Sequence, residues 1–474
     1  MIQLHSILKR IAMTALVAGS IGLAGCGAGE RLSQLNPFGG EETDDPNAPA
    51  QSERIPILAI EDQLARADAF GTPVDLPPAY VNDRWPQPDG FPTHAMQHTQ
   101  ASGPLTRLWR VDIGEGSSRS TRLNARPVVA DGAVYAIDGS GRVSAHDAET
   151  GARRWVTRLS AEAEAESGGR LAILPFVGGA DERLSFGGGL ALDGGRLFVH
   201  AGFEYIVALD VATGEEIWRQ TAFTPFHSAP TAVDGRVFVA TDDNELMALD
   251  AANGEVLWTH RGISETARLI TSPSPAVLGE VVIAPYTSGE LVALRVQNGS
   301  VLWSDSLTRA GGFTPMSTIN DIAASPVIVN DQVYAMSHSG VMAAFDMRSG
   351  ERVWTQPAGS LHAPSAAGDF LFFVTTDGDV VAMERGTGAA RWITELPAFE
   401  NERRRRDRIA YAGPILAGDR LLVASSRGRL HVLNPTNGAL IGERDLDDPV
   451  FIAPVIANET VYILTDDARL IALR

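Results

Sequence analysis

Few residues in this chain have the type and spacing that chemistry requires. Cys26 is the one cysteine in 474 residues, which removes internal disulfides and multi-cysteine zinc sites. His94 and His98 stand four apart, as two ligands on one helix face would. No Glu follows His94 and the flanks are rich in proline, so the pair is not read as a metal site. Gly178-Gly179 and Gly187-Gly188-Gly189 could open a phosphate loop, but no Gly-Lys-Ser/Thr follows, and turns are the better reading. Serine is plentiful, yet no Gly-x-Ser-x-Gly elbow occurs. No catalytic set emerges, and neither a metal nor a cofactor is expected. One charged cluster remains, Arg403-Arg404-Arg405-Arg406 with Arg408. It is either a solvated loop with Glu402 and Asp407 as partners, or a contact for an acidic partner or lipid headgroups.

The elements that position these residues follow from composition and repeats. The chain carries 39 basic and 58 acidic residues, a net charge of −19. That balance argues against nucleic-acid binding, which needs a basic footprint. A hydrophobic fraction of 44% rules out global disorder. With 47 Gly, 27 Pro and 20% charged residues, the mix suits a turn-rich β protein.

Lys9-Arg10, the apolar run 11–23 and the small residues before Cys26 form a secretory signal, too short to span a membrane comfortably. Leu23-Ala24-Gly25-Cys26 resembles the bacterial lipobox, in which the cysteine is lipidated and becomes the new N-terminus. The residue after it is Gly27, not the Asp that retains many such proteins in the inner membrane. The resemblance implies a lipid anchor in the outer membrane, with the protein in the periplasm. The expected division is a signal over 1–25, a lipidated disordered tether over 26–53, an extended segment over 54–104 and a repeat domain over 105–474. Prolines keep the extended segment out of central strands.

From Trp109 onward the chain repeats. Ala208-Leu209-Asp210, Gly214 and Trp218 recur as Ala248-Leu249-Asp250, Gly254 and Trp258. Asp147, Gly151 and Trp155 match, as do Asp346, Gly350 and Trp354. Arg295/Gly299/Trp303 and Glu384/Gly388/Trp392 are variants; in the most degenerate copy, Asn434/Gly438, Gly442 stands in the Trp slot. The chain's final Ala472-Leu473-Arg474 begins an eighth copy, whose Trp is Trp109. A Pro, or Gly189, precedes each Asp position by 20 residues, or 21 in the second copy. Two short strands fit that interval, and the turn then leads to a strand carrying the Trp. Four antiparallel strands, repeated eight times, make an all-β eight-bladed propeller closed by N- and C-terminal strands. Asp can accept hydrogen bonds from backbone two residues on, Gly takes the positive φ, and Trp pins neighbouring sheets. The joint at Gly442 lacks its pin. The Trp-to-Pro connections vary from 10 to 34 residues and all leave on one face, the pattern of a binding surface.

The repeat resembles the tryptophan-docking motif of quinoprotein alcohol dehydrogenases, where it is structural. Those enzymes usually carry a vicinal cysteine pair, which one cysteine cannot supply. Lipobox, tether and propeller together resemble the BamB family, lipoprotein scaffolds of the outer-membrane β-barrel assembly machinery. The resemblance implies no catalysis, binding to the periplasmic domains of BamA, association with other lipoproteins of the complex, and help for nascent outer-membrane proteins. It also implies contact residues in the loops before Pro275 and Pro326: Leu269, with Ile270 where the family has Arg, Arg268 as a substitute charge, and Asp321. A lipid-anchored quinoprotein dehydrogenase and another envelope-assembly scaffold remain as alternatives.

Overall fold

The computed structural model describes residues 64–160, 185–186, 188–265, 267–309 and 319–474. Cys26, the tether and Gly178-Gly179 lie outside them. Among the described residues every regular element is a strand. Most of these strands form eight four-stranded antiparallel sheets; in seven the strands pair in sequential order, and in the eighth Arg107–Asp112 joins the last three strands of the chain. Blade 3 shows the pattern: Thr231–Val233, Arg236–Ala240, Glu245–Asp250 and Val256–Arg261. First strands of neighbouring blades approach one another and so line the axis. The outer strands face water, and in Val256–Arg261 only Trp258 is buried.

One row across each sheet explains the repeat. In blade 3, Phe238 pairs with Ala248, and Ala248 with Trp258. Tyr135, Ala145 and Trp155 form the same row in blade 1. Alanine leaves room for the two rings, whose centroids lie 5.9 Å apart in both blades. The strand pairing then shifts by one residue after the alanine, a bulge that re-aims the chain into its turn. Trp258 Nε1 donates to Val296 O of blade 4 at 2.9 Å. The same bond recurs at Trp109, Trp155, Trp218, Trp303, Trp354 and Trp392, each to the next blade. The indole lies on the next blade's turn glycine: a Cβ on Gly254 would sit 2.6 Å from the Trp218 ring. The turn itself is tied by its aspartate. Asp210 accepts from the N–H groups of Ala212 and Thr213 at 2.9 and 3.0 Å.

The ring closes through its last blade. Arg107–Asp112 pairs antiparallel with Arg469–Leu473, so the N-terminal strand becomes the outer strand of blade 8. This leaves no full-length unpaired edge at the junction.

The preceding segment does more than lie along the body. Residues 82–99 pass once around the axis and bond to the first strand or first turn of every blade in ring order. Asn458 N–H of blade 8 donates to Asn82 O at 2.8 Å, and Trp85 exchanges both backbone bonds with Val129 of blade 1. Leu192 N–H of blade 2 donates to Pro86 O at 2.8 Å. The Gln87 amide bridges to Ala232 of blade 3, donating to its O at 2.8 Å and accepting from its N–H at 3.1 Å. Val277 of blade 4 and Ile328 of blade 5 donate to Pro92 O and Thr93 O at 2.7 and 2.8 Å. Gln97 Oε1 accepts from Gly368 N–H in the first turn of blade 6, and Thr99 O from Gly418 N–H in the first turn of blade 7. Pro86 and Pro92 sit where only a carbonyl is needed, so their missing N–H costs nothing.

Candidate partner-binding face

Among the described residues, the outer-to-first-strand connections converge on one mouth of the axis. Together they surround a cavity of about 580 Å³, within the range of pockets that take a ligand or a partner's anchor side chain. Pro88 and Asp89 of the encircling segment line it, as does Arg126. Arg126 forms an ion pair with Asp89 and both are largely buried. Burial pulls the guanidinium down to about 10. Burial and the Arg126 charge push His362, beside it, down to about 3. The walls are mainly apolar, and Ile270, Leu361 and Phe451 at the rim keep 48%, 37% and 41% of their surface exposed. Exposed apolar side chains gathered at a preformed cavity mark a docking surface.

The loop carrying Arg268, Leu269 and Ile270 is held from both sides. Arg268 pairs with Asp242 at 2.7 Å on the blade 3 side. Ser272 Oγ lies 2.7 Å from Gly188 O and 2.9 Å from His227 O. On the blade 5 side, Leu269 N–H donates to Asp321 Oδ2 at 2.9 Å. Asp321 is 1% exposed, and burial pushes its carboxyl up to about 6 against the opposing pull of Leu269 N–H and Arg268. The four residues read as contacts therefore do come together, with different roles. Ile270 is exposed, Leu269 half-buried, Arg268 engaged with Asp242, and Asp321 sits underneath as the tie between two long loops.

His94 and His98 face different blades. His94 Nδ1 lies 2.7 Å from Pro326 O, and the His98 nitrogens lie 2.6 Å from Pro77 O and Gly418 O. Among the described residues no group of His, Cys, Asp and Glu could hold a metal ion. Gly189 is a packing residue: a Cβ there would approach Ala229 Cα to 2.5 Å. The arginine run, read as a loop, is a hairpin in which Phe399–Asn401 pairs with Arg406–Arg408. Glu402 does not pair with an arginine; it accepts the Phe399 N–H at 3.0 Å. Leu361 and Phe451 were missed in the sequence because their connections are among the shortest, and only the long ones drew notice.

The profile of the family described as outer membrane protein assembly factor BamB matches residues 99–185, 164–394 and 402–474. The BamB assembly factor of Salmonella typhimurium is 29% identical over 369 residues, covering 78% of this chain and 88% of the relative. Among solved structures, BamB from Moraxella catarrhalis superposes with a TM-score of 0.63 at 20% identity, over 78% of this chain and 99% of that one. Quinohemoprotein alcohol dehydrogenase from Comamonas testosteroni superposes with a TM-score of 0.63 at 14% identity, over 83% and 81%. At such identities the superpositions speak for the propeller alone.

Proposed function

The chain belongs to the family of outer membrane protein assembly factor BamB, and on that footing we propose that it is a scaffold of outer-membrane protein assembly that does no chemistry. It is held by a lipid at Cys26 on the periplasmic side of the outer membrane, after removal of residues 1–25, with 26–53 as tether. Its partners are the periplasmic domains of BamA, the other lipoproteins of the complex and nascent outer-membrane proteins. The observation that carries the reading is the loop face, where a rigidly tied loop presents Leu269 and Ile270 at the rim of an apolar cavity. Interfaces of about 800 Å² per partner draw most of their energy from a few such anchors.

The test is binding of the chain to isolated BamA periplasmic domains. Leu269→Ala with Ile270→Ala should weaken it by about 2 kcal/mol, roughly thirtyfold, if these are anchors. Asp321→Asn should bind almost normally, because an amide oxygen still accepts the Leu269 N–H, whereas Asp321→Ala should loosen the loop and weaken binding. Unchanged affinity in a folded Leu269/Ile270 double variant rules this face out. A diacylglyceryl-type mass on Cys26 at the mature N-terminus tests the anchor separately.

A further inference from the structure

The arginine hairpin rises from one of the same connections but lines no part of the cavity, and its charge is unlike the rest of the molecule. The chain has a net charge of −19, yet five arginines fall within Arg403–Arg408. Every residue from 400 to 408 is exposed. The hairpin's base is fixed. Arg408 pairs with Asp377 at 2.7 Å, and Arg405 and Arg408 lie over the Phe399 ring at 5.5 and 5.8 Å. Two of its own acids are turned to other work: Glu400 pairs with Arg427 at 3.5 Å and Glu402 accepts the Phe399 N–H. Among the described residues the guanidinium groups of Arg403, Arg404 and Arg406 have no ion pair, and Asp407 is the one acid left at the tip.

The place of the hairpin in the fold matters as much as its charge. It follows directly on Ala390–Glu395, the outer strand of blade 6. The N-terminal segment joins the propeller at that same strand: Ala67 N–H donates to Ala390 O at 2.9 Å, and Ala390 N–H to Ala65 O at 2.7 Å. Residues 65–67 and the basic tip therefore belong to one sector of the ring, at the two ends of the same outer strand.

We infer that the Arg403–Arg408 hairpin is a contact for an anionic phospholipid surface, which orients the propeller on the bilayer that holds its lipid anchor. Guanidinium forks bind phosphate oxygens in pairs. A projecting, convex tip suits a flat array of phosphates and offers no groove for a peptide. Screening limits such contacts to about 8 Å at physiological salt, so the acidic remainder of the surface does not cancel the tip once the tip touches. The inference rests on the proposed anchoring through Cys26, and the assay separates the two.

The experiment is flotation of the otherwise full mature chain, carrying Cys26→Ala, with vesicles of phosphatidylglycerol and phosphatidylethanolamine. The unlipidated chain reports the hairpin alone, while the mass of the native N-terminus reports the anchor. Binding should require phosphatidylglycerol and fall steeply with added salt. Each arginine near an anionic surface contributes about fivefold to partitioning, so Arg403→Ser, Arg404→Ser and Arg406→Ser together should weaken it roughly a hundredfold. Arg261→Ser, far around the ring in blade 3, should leave it unchanged. The tip is exposed and outside the blades, so circular dichroism and melting of the triple variant should match the parent. Equal binding to purely zwitterionic vesicles, or an unaffected triple variant, overturns the inference. Tighter hairpin-dependent binding to polyglutamate than to vesicles assigns the tip to an acidic protein and overturns it too.

Discussion

Replacing Gln87 with leucine should damage the fold from its centre. Gln87 is 1% exposed, and its amide meets two blades. Nε2 donates to Leu192 O at 3.2 Å and to Ala232 O at 2.8 Å, and Oε1 accepts from Ala232 N–H at 3.1 Å. Leucine of similar size fills the space but takes away the acceptor of a buried N–H. An orphaned buried donor costs about 1–3 kcal/mol. The two carbonyls lose a donor as well, so the whole change should cost about 2–4 kcal/mol. Two readouts check this. The urea midpoint should fall. The Ala232 amide should exchange with solvent roughly 30- to 1,000-fold faster, at tenfold per 1.4 kcal/mol. A surface segment merely resting on the ring would give under about 0.5 kcal/mol. A shift that small, with Ala232 protection intact, would refute the claim that residues 82–99 bind the blades together.

Three further outcomes follow from the same geometry. Gly254→Ala forces a Cβ to 2.6 Å from the Trp218 ring and should lower stability by about 2–4 kcal/mol, whereas Gly235→Ala, with nothing within 4 Å, should cost only the strain of its positive φ, about 1–2 kcal/mol; comparative melting separates them. Deleting residues 467–474 removes the Arg469–Leu473 strand between Arg107–Asp112 and Thr460–Leu464, which should expose two sheet edges and produce aggregation visible by light scattering. Acid should destabilise the fold, because burial holds His94 and His200 near 4 and, with nearby positive charge, His227 and His362 near 3. Their stabilisation is complete above the unfolded value of about 6.5 and is lost as pH falls below it, at about 1.4 kcal/mol per pH unit per histidine. Asp321, raised to about 6, works the other way, gaining stability as pH falls through 6 toward 3.8. The balance from pH 7.5 to pH 5 should be a loss of about 6–7 kcal/mol, and an unchanged urea midpoint between those values would contradict the buried, neutral histidines.

Blade architecture was legible because each device in it is local. An Asp that ties a turn, a Gly that must turn and a Trp that reaches the next sheet all lie within nine residues, as in Asp210, Gly214 and Trp218. The aromatic across from the Trp was legible in principle, ten residues before the repeat's alanine, as Phe238 stands before Ala248. It was missed because in blade 4 the position is Ile283 and in blade 7 Leu422. The path of residues 82–99 left no such trace. It has no period, and it binds through carbonyls and side-chain amides that any polar, proline-rich stretch contains. Asp321 shows the same limit at the face. The family resemblance drew attention to it, but whether a loop acid points to solvent or beneath its neighbour depends on the packing of two blades.

The joint between blades 7 and 8 shows how a ring can lose a pin and remain a ring. Gly442 occupies the Trp position, with nothing within 4 Å of where its Cβ would be. Blade 7 lacks the whole row, having Leu422, Val432 and Gly442 where other blades place an aromatic, an alanine and a tryptophan. On blade 8, the place of the docking turn is taken by the entering chain. Thr106 and Arg474 exchange backbone hydrogen bonds at 2.7 and 2.9 Å, and Gly103 lies against the Arg474 carbonyl carbon so closely that a Cβ would reach 2.6 Å. Blade 7 grips that same stretch with polar side chains. Arg420 donates to the carbonyls of Gly103 and Ala101, and Arg444 to Pro104 O at 3.3 Å. Leu105, 5% exposed and at φ +57°, turns inward to join the core there. An indole in the Trp position would contend with this stretch for the same joint. The absence of a tryptophan at Gly442 is therefore the counterpart of the entering strand, and the joint that looks weakest in the repeat is the one where the N-terminal chain is fastened to both blades.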